Sequence, residues 1–157
     1  MTSTKQLLFA VLLLFGVALP GVAQTSYCLE AGHKISIRIL STLDSKKNIT
    51  TNPTAEVVHD VYDETGEFIL IRKGTLVTLQ VTARKANLSG DVGKITITPI
   101  STSAFNGREI SFEAEPIVFT GNDNDFFRSK MNVTVPEGTA MVAPIANPYC
   151  FKVKDVE

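Results

Sequence analysis

The two histidines of the chain, His33 and His59, are its first candidates for acid–base or metal chemistry. A nucleophilic site would pair a thiol, Cys28 or Cys150, with one of these histidines as its general base. A zinc site would need three or four converging ligands, and the histidines have no closely spaced cysteine pair to complete such a set. No known signature surrounds either cysteine. We therefore expect neither a catalytic thiol nor a bound metal.

Two groups of acidic residues are candidates for hydrolysis or cation binding. The acids Asp60, Asp63, Glu64 and Glu67 lie around one turn, whereas a glycosidase needs two carboxylates that face each other across a cleft. We expect these four side chains to lie in water and keep the edge of a hairpin charged. The segment Asn122–Asp125 offers oxygen ligands for Ca²⁺, but it lacks the glycine and the distal glutamate of a known Ca²⁺ loop. A solvated turn is the interpretation there.

The sequence contains no other motif that carries a known chemistry. It has no Gly-x-Ser-x-Gly, no phosphate-binding glycine loop and no His-Glu-x-x-His. The residues therefore predict a protein that is not an enzyme and has no cofactor.

The cysteines themselves favour a structural role. Cys28 and Cys150 lie near the two ends of the chain that follows the N-terminal apolar segment. An isolated pair of this kind usually forms a disulfide in an oxidising compartment. Such a bridge would close a long loop and stabilise the fold by on the order of 4 kcal/mol. It would also make the first and last segments neighbours, as in a closed or nearly closed sheet.

Residues 1–23 have the pattern of a secretory signal peptide. Lys5 supplies the positive charge, Leu7–Leu19 the apolar stretch, and Gly21-Val22-Ala23 the small residues of a cleavage site. The apolar stretch is shorter than the roughly 20 residues of a membrane-spanning helix, which favours cleavage near Ala23 over an uncleaved anchor. We expect a secreted or periplasmic protein with one β domain over residues 24–157 and no membrane span after cleavage.

The charge of the chain argues against two classes of partner. The formal net charge is −1, whereas proteins that bind nucleic acid carry a basic patch or stripe. Lysine and arginine are also not clustered densely enough for an anionic membrane surface. The expected partner is another envelope or secreted protein.

Apolar and polar residues alternate along most of the chain after residue 33, which is typical of strands with one buried face. We expect strands over Lys34–Leu40, Ala55–Tyr62 and Leu76–Arg84, with Glu67–Arg72 pairing against Ala55–Tyr62. About eight to ten short strands at regular spacing predict an all-β fold, as a single small antiparallel β-barrel or sandwich. The inward positions are Ile35, Ile37, Ile39, Val77, Leu79, Val81, Ile110 and Phe112.

Glycines mark the turns between these strands. Asn106-Gly107 predicts a type I′ hairpin, which requires positive φ at both central residues. Near the end, Met131–Val135 and Thr139–Ile145 are expected to form a final hairpin. Its turn, Pro136-Glu137-Gly138-Thr139, echoes the earlier Arg72-Lys73-Gly74-Thr75. The structural turn residues are Gly66, Gly74, Asn106, Gly107 and Gly138.

Several of these motifs occur together in a known family. They are Val61-Tyr62-Asp63, Gly66, Leu70–Thr75, Asn106-Gly107 and Val135–Thr139. In this order they resemble the C-terminal β-barrel of the TrbI-like scaffold proteins of type IV secretion and conjugation channels. Arg72 stands where the family has proline, the long membrane-anchored arm is missing, and residues 119–130 are too short for its two-helix antenna. The resemblance implies a free-standing exported barrel without anchor or antenna.

These observations predict a non-enzymatic structural or interaction module of the bacterial envelope or periplasm. Exposed strand edges and the loops 44–54 and 119–130 are the expected contact surfaces. One alternative is a β-barrel that binds a small ligand, which would need a hollow interior. The bulky inward residues favour a filled one. A secreted hydrolase is the remaining alternative.

Overall fold

The computed structural model describes residues 25–47, 53–87, 89–121 and 131–153. The predicted signal peptide and the segment Asn122–Asp125 lie outside the described residues, as do parts of the two loops predicted as contact surfaces. Residues Ser26–Phe151 form one structural unit, in which all the interactions below occur.

Alternating apolar and polar residues form short strands throughout the described residues, which confirms the predicted all-β fold. The described residues contain thirteen strands rather than about eight to ten, because stretches such as Ala55–Tyr62 are interrupted. Within the described ranges, no helix is long and apolar enough to cross a membrane. The strands are β1 (Ser26–Leu29), β2 (Lys34–Ile39), β3 (Leu43–Asp44), β4 (Thr54–Val57), β5 (Val61–Tyr62), β6 (Ile69–Ile71), β7 (Leu76–Arg84), β8 (Lys94–Ser103), β9 (Glu109–Ser111), β10 (Ile117–Thr120), β11 (Thr134–Val135), β12 (Ala140–Pro144) and β13 (Tyr149–Lys152).

The largest sheet curls until the segment after β9 meets the segment after β12. Its strand order is β10-β8-β7-β4-β2-β12, and β9 also pairs with β8. The long strand β8 pairs with β10 along its first half and with β9 along its second. Just beyond β9, Phe112 forms an antiparallel bridge with Ile145, which follows β12. A bond from the Glu113 N–H to the Pro144 carbonyl, at 2.9 Å, extends this contact. The sheet is therefore barrel-like, with hydrogen bonds between the chain just after β9 and the end of β12.

The interior of the curled sheet is filled by large aliphatic side chains. Of the predicted inward residues, all are buried except Val81, which is half-buried. Burying one such side chain stabilises the fold by about 1.5–3 kcal/mol. The largest side chains that are at most 2% exposed are Leu29, Ile35, Ile37, Ile39, Leu70, Ile71, Leu79, Ile95, Ile97 and Ile145.

The two similar turns of the sequence form equivalent corners. The Gly74 N–H donates to the Val57 carbonyl at 2.8 Å, and the Val57 N–H donates to the Thr75 carbonyl at 2.9 Å. Gly138 and Ile39 repeat this pair of bonds at 2.8 and 3.0 Å. Both glycines have positive φ, 80° for Gly74 and 82° for Gly138. Each corner therefore bonds to a neighbouring strand instead of closing a hairpin.

This arrangement corrects the predicted final hairpin. The segments Met131–Val135 and Thr139–Ile145 do not pair with each other, because β11 pairs with β3 and β12 pairs with β2. The corner at Gly138 carries the chain from one of these pairs to the other. In the same way, β6 pairs with β5 and β7 with β4 on the two sides of Gly74.

The turn at Asn106-Gly107 exists, but its predicted type is wrong. Gly107 has a φ of 80°, and no non-glycine residue among those described has positive φ, which excludes a type I′ turn. The Gly107 N–H donates to the Ala104 carbonyl at 2.9 Å, as in a type I turn followed by a left-handed glycine. The Asn106 side-chain oxygen instead accepts bonds from the Arg108 N–H at 3.2 Å and the Tyr149 hydroxyl at 2.8 Å.

The predicted disulfide joins the first and last strands. Cys28 and Cys150 are bonded, and β1 pairs with β13. Four aromatic rings pack beside this two-stranded ribbon, with centroids 4.7–5.7 Å apart in each contacting pair. Such pairs stabilise by about 0.5–1.5 kcal/mol each beyond the area that they bury. The rings belong to Tyr27, Phe68, Phe105 and Phe151.

Candidate functional site

The candidate site arises where the predicted strand Ala55–Tyr62 breaks. β4 ends at Val57 and β5 begins at Val61, so the prediction of one continuous strand is wrong. Alternation would place the side chain of His59 in the core, between those of Val57 and Val61. His59 is exposed instead, because a polar ring without a partner is costly to bury. A histidine at an inward position was the sequence signal for this break.

The break leaves part of β2 without a neighbour on one side. β2 pairs with β4 only over Ile37–Ile39, and the last bond runs from the Val58 N–H to the Ser36 carbonyl at 2.9 Å. Two residues further in the same register, Asp60 would lie opposite Lys34. The chain turns away at this point, however, and enters β5, which pairs with β6. β2 and β5 therefore separate.

An open cleft of about 370 Å³ lies between the two separated segments. One wall is His33–Ser36 and the other is His59–Asp63. The fold thus brings both histidines of the chain to one cleft, although they are far apart in sequence. Its volume lies at the lower end of the range of ligand pockets, about 300–1,000 Å³.

The rim of the cleft is polar and includes one aromatic ring. The Tyr62 side chain is 45% exposed, and those of Lys34 and Ser36 are also exposed. The Asp60 carboxylate is partly engaged, because its Oδ1 accepts a bond from the Lys73 N–H at 2.7 Å. Within the described part of the chain, the Lys34 ammonium makes no salt bridge.

Asp63 stabilises the second wall and does not lie in water as predicted. Its side chain is 5% exposed. It accepts bonds from the Thr65 hydroxyl and from the N–H groups of Thr65, Glu67 and Phe68, the last at 2.8 Å. Burial alone would raise the pKa of this carboxyl, but these bonds outweigh it and lower the pKa below the usual 3.8. Asp63 therefore closes its own turn as a buried anion.

Two contacts fix this wall to the disulfide-linked ribbon. The Glu64 N–H donates to the Cys28 carbonyl at 3.2 Å. The Phe68 ring stacks on Tyr27, with centroids 4.7 Å apart. Because both contacts bind the Asp63 turn to β1, the cleft has two anchored walls.

A cysteine nucleophile and a metal site were the other candidates for chemistry. Both cysteines are in the disulfide, so neither supplies a thiol nucleophile. No group of three His, Cys, Asp or Glu side chains that could hold a metal ion occurs in the part of the chain that the structure describes. The candidate Ca²⁺ segment Asn122–Asp125 lies outside that part.

Comparison of the chain with protein-family models found no match, and comparison with curated proteins found none either. The cleft is therefore interpreted from its own residues.

Proposed function

We propose that this protein is an exported interaction module of the bacterial envelope or periplasm that binds another protein and catalyses no reaction. The observation that carries the proposal is the cleft between His33–Ser36 and His59–Asp63. Its polar rim, its exposed tyrosine and its two anchored walls are properties of a preformed binding surface.

The packing of the barrel favours surface contact over a ligand held inside. Side chains such as Ile37, Ile95 and Ile97, each 0% exposed, fill the interior. An internal ligand would need a cavity in their place. A ligand-binding barrel is thus the second candidate, and a small polar molecule in the external cleft is the form of it that the geometry favours.

Two features support export. Residues 1–23 have the sequence pattern of a signal peptide. The Cys28–Cys150 disulfide is compatible with an oxidising compartment. The resemblance to the TrbI-like barrel favours the bacterial envelope as the location.

Cross-linking in the native envelope tests the proposal. The full chain with a C-terminal affinity sequence should be cleaved near Ala23, reach the periplasm or medium, and recover one abundant protein by mass spectrometry. A matched chain without residues 1–23 should remain in the cytoplasm and fail to recover it. Retention of the full chain in the cytoplasm would contradict the export part of the proposal. A co-purifying small molecule without a protein partner would favour the second candidate.

A further inference from the structure

The main-chain groups of Lys34 point into the cleft. Along β2, Ser36 and Leu40 make backbone hydrogen bonds to the β4 segment, whereas His33 and Ile39 make them to the β12 segment. Backbone groups alternate in direction along a strand. Lys34 therefore directs its N–H and C=O towards the β4 side, as Ser36 and Leu40 do. On that side the ladder has already ended, and the cleft takes its place.

The pairing of Lys34 with β12 is consistent with backbone groups that point towards the β4 side. Its partner in β12 is Pro144, which has no N–H to donate. The neighbouring pair, Ile35 with Ala143, continues the ladder between the two strands. Lys34 thus offers a backbone donor and a backbone acceptor to the cleft that it lines, and its side chain is exposed.

We propose that the cleft binds an extended peptide segment of a partner protein, which adds to β2 as a short strand and carries an acidic side chain that pairs with Lys34. An unpaired strand edge is a template for such addition, in which main-chain bonds give affinity and side-chain contacts give specificity. The inference rests on the proposed function, since it names the kind of segment that the module binds.

The length of one wall and the residues of the cleft fit this occupant. The wall His33–Ser36 is four residues long, so an extended segment of about four residues, roughly 13 Å, would lie along it. The rings of His59 and Tyr62 on the other wall can contact alternate side chains of the added strand. The acidic preference is local to the Lys34 ammonium, which makes no salt bridge in the described part of the chain. The Asp60 and Asp63 carboxylates stay charged, but they lie on the other wall, where backbone N–H groups bind them.

Two substitutions at one position separate main-chain pairing from charge. Lys34→Pro removes both the N–H and the ammonium, yet it removes no bond to β12, since the N–H points away from that strand. Lys34→Thr removes the ammonium and keeps the N–H. Thermal unfolding of both variants checks that the barrel is intact. The comparison between them isolates the backbone bond.

The probes are capped hexapeptides of alternating valine and threonine with one central aspartate, or with lysine in its place. With the wild-type protein, isothermal calorimetry should show at least fivefold tighter binding of the aspartate peptide. Lys34→Thr should abolish this preference. Lys34→Pro, which also lacks the N–H, should bind the aspartate peptide at least tenfold more weakly than Lys34→Thr does. Amide hydrogen exchange at Lys34 should slow when the peptide is bound.

An aspartate peptide with N-methyl groups on alternate amides gives a test that does not depend on any variant. Its methyl groups block strand pairing, so it should bind the wild-type protein at least tenfold more weakly. Equal binding of the methylated peptide, or no binding of the unmethylated one at 1 mM, overturns the inference. In the envelope experiment, a partner recovered equally by wild type and Lys34→Pro overturns the inference but leaves the proposed function standing. Failure of the wild type to recover any partner counts against the function itself.

Discussion

Alanine at Gly74 or at Gly138 should destabilise the protein by similar amounts, because these glycines hold equivalent corners. Their φ values are 80° and 82°, and a side chain in this left-handed region costs about 1–2 kcal/mol. The less flexible unfolded chain of an alanine variant offsets about 0.4–1 kcal/mol of that loss. Each variant should therefore lose about 1 kcal/mol of the free energy of unfolding, or about 4 °C in Tm.

The loss should be conformational and not steric. A Cβ atom at Gly138 would meet no atom within 4 Å, and one at Gly74 would meet only Glu56 Oε2, at 4.0 Å. Asparagine tolerates positive φ better than alanine, so Gly138→Asn is a matched control that should lose less than Gly138→Ala. Urea denaturation followed by far-ultraviolet circular dichroism measures all of these variants. An alanine variant as stable as the wild type would contradict the conformational cost, and two losses that differ by as much as the loss itself would show that the corners are not equivalent.

Three further perturbations probe the disulfide and two buried ionisable groups. Alanine at both Cys28 and Cys150 should lower the free energy of unfolding by about 5 kcal/mol in the chain-entropy model, because the bridge spans 122 residues. In urea denaturation, the reduced wild type should match this variant. A loss below about 2 kcal/mol would contradict the model. Burial raises the pKa of Asp63, but hydrogen bonds outweigh it and lower the pKa. The stability that this carboxylate contributes is therefore present above pH 3.8 and is lost as the pH falls through the pKa of the folded state. Asp63→Asn should remove that part of the acid dependence, and an unchanged acid profile of Tm would argue against the buried anion. Burial raises the pKa of the Tyr149 hydroxyl above 10.0, against the opposing effects of Asn106 and Arg108. The stability contributed by the neutral hydroxyl is therefore complete below pH 10.0 and is lost as the pH rises towards the pKa of the folded state. Tyr149→Phe should flatten the decline in Tm above pH 10.0, and a variant that declines as steeply as the wild type would exclude this cause.

Alternation along the chain predicted most of the side chains that enter the core, with His59 and Val81 as the exceptions. Side chains of a strand alternate between its two faces, so the faces follow from the residue types alone. Ile35, Ile37 and Ile39 are buried for this reason, as are Ile110 and Phe112. The burial pattern did not require any knowledge of which strands pair.

Strand pairing and turn geometry could not be derived in the same way. The corner at Gly138 has the residue types of a hairpin turn, but its N–H bonds to Ile39, nearly a hundred residues away in sequence. Asn106 has the right type for positive φ, but its side-chain oxygen is held by the distant Tyr149 hydroxyl. Asp63 is one of four acids in a polar turn, and only the folded turn directs three backbone N–H groups at its carboxylate. Long-range contacts decide the first two features, and the third depends on a local turn that directs its N–H groups only in the folded chain.

The cleft is a built feature of the fold and not a frayed end of a strand. Asp60, the residue that would extend the ladder opposite Lys34, is held by the Lys73 N–H, a bond that contributes about 1 kcal/mol. The Glu64 N–H bond to Cys28 holds the same wall further along. Proteins commonly protect an open strand edge with a lysine, which discourages pairing with other chains. Lys34 lies at such an edge, so the same ammonium that opposes non-specific pairing would select an acidic segment as the strand that is allowed to add.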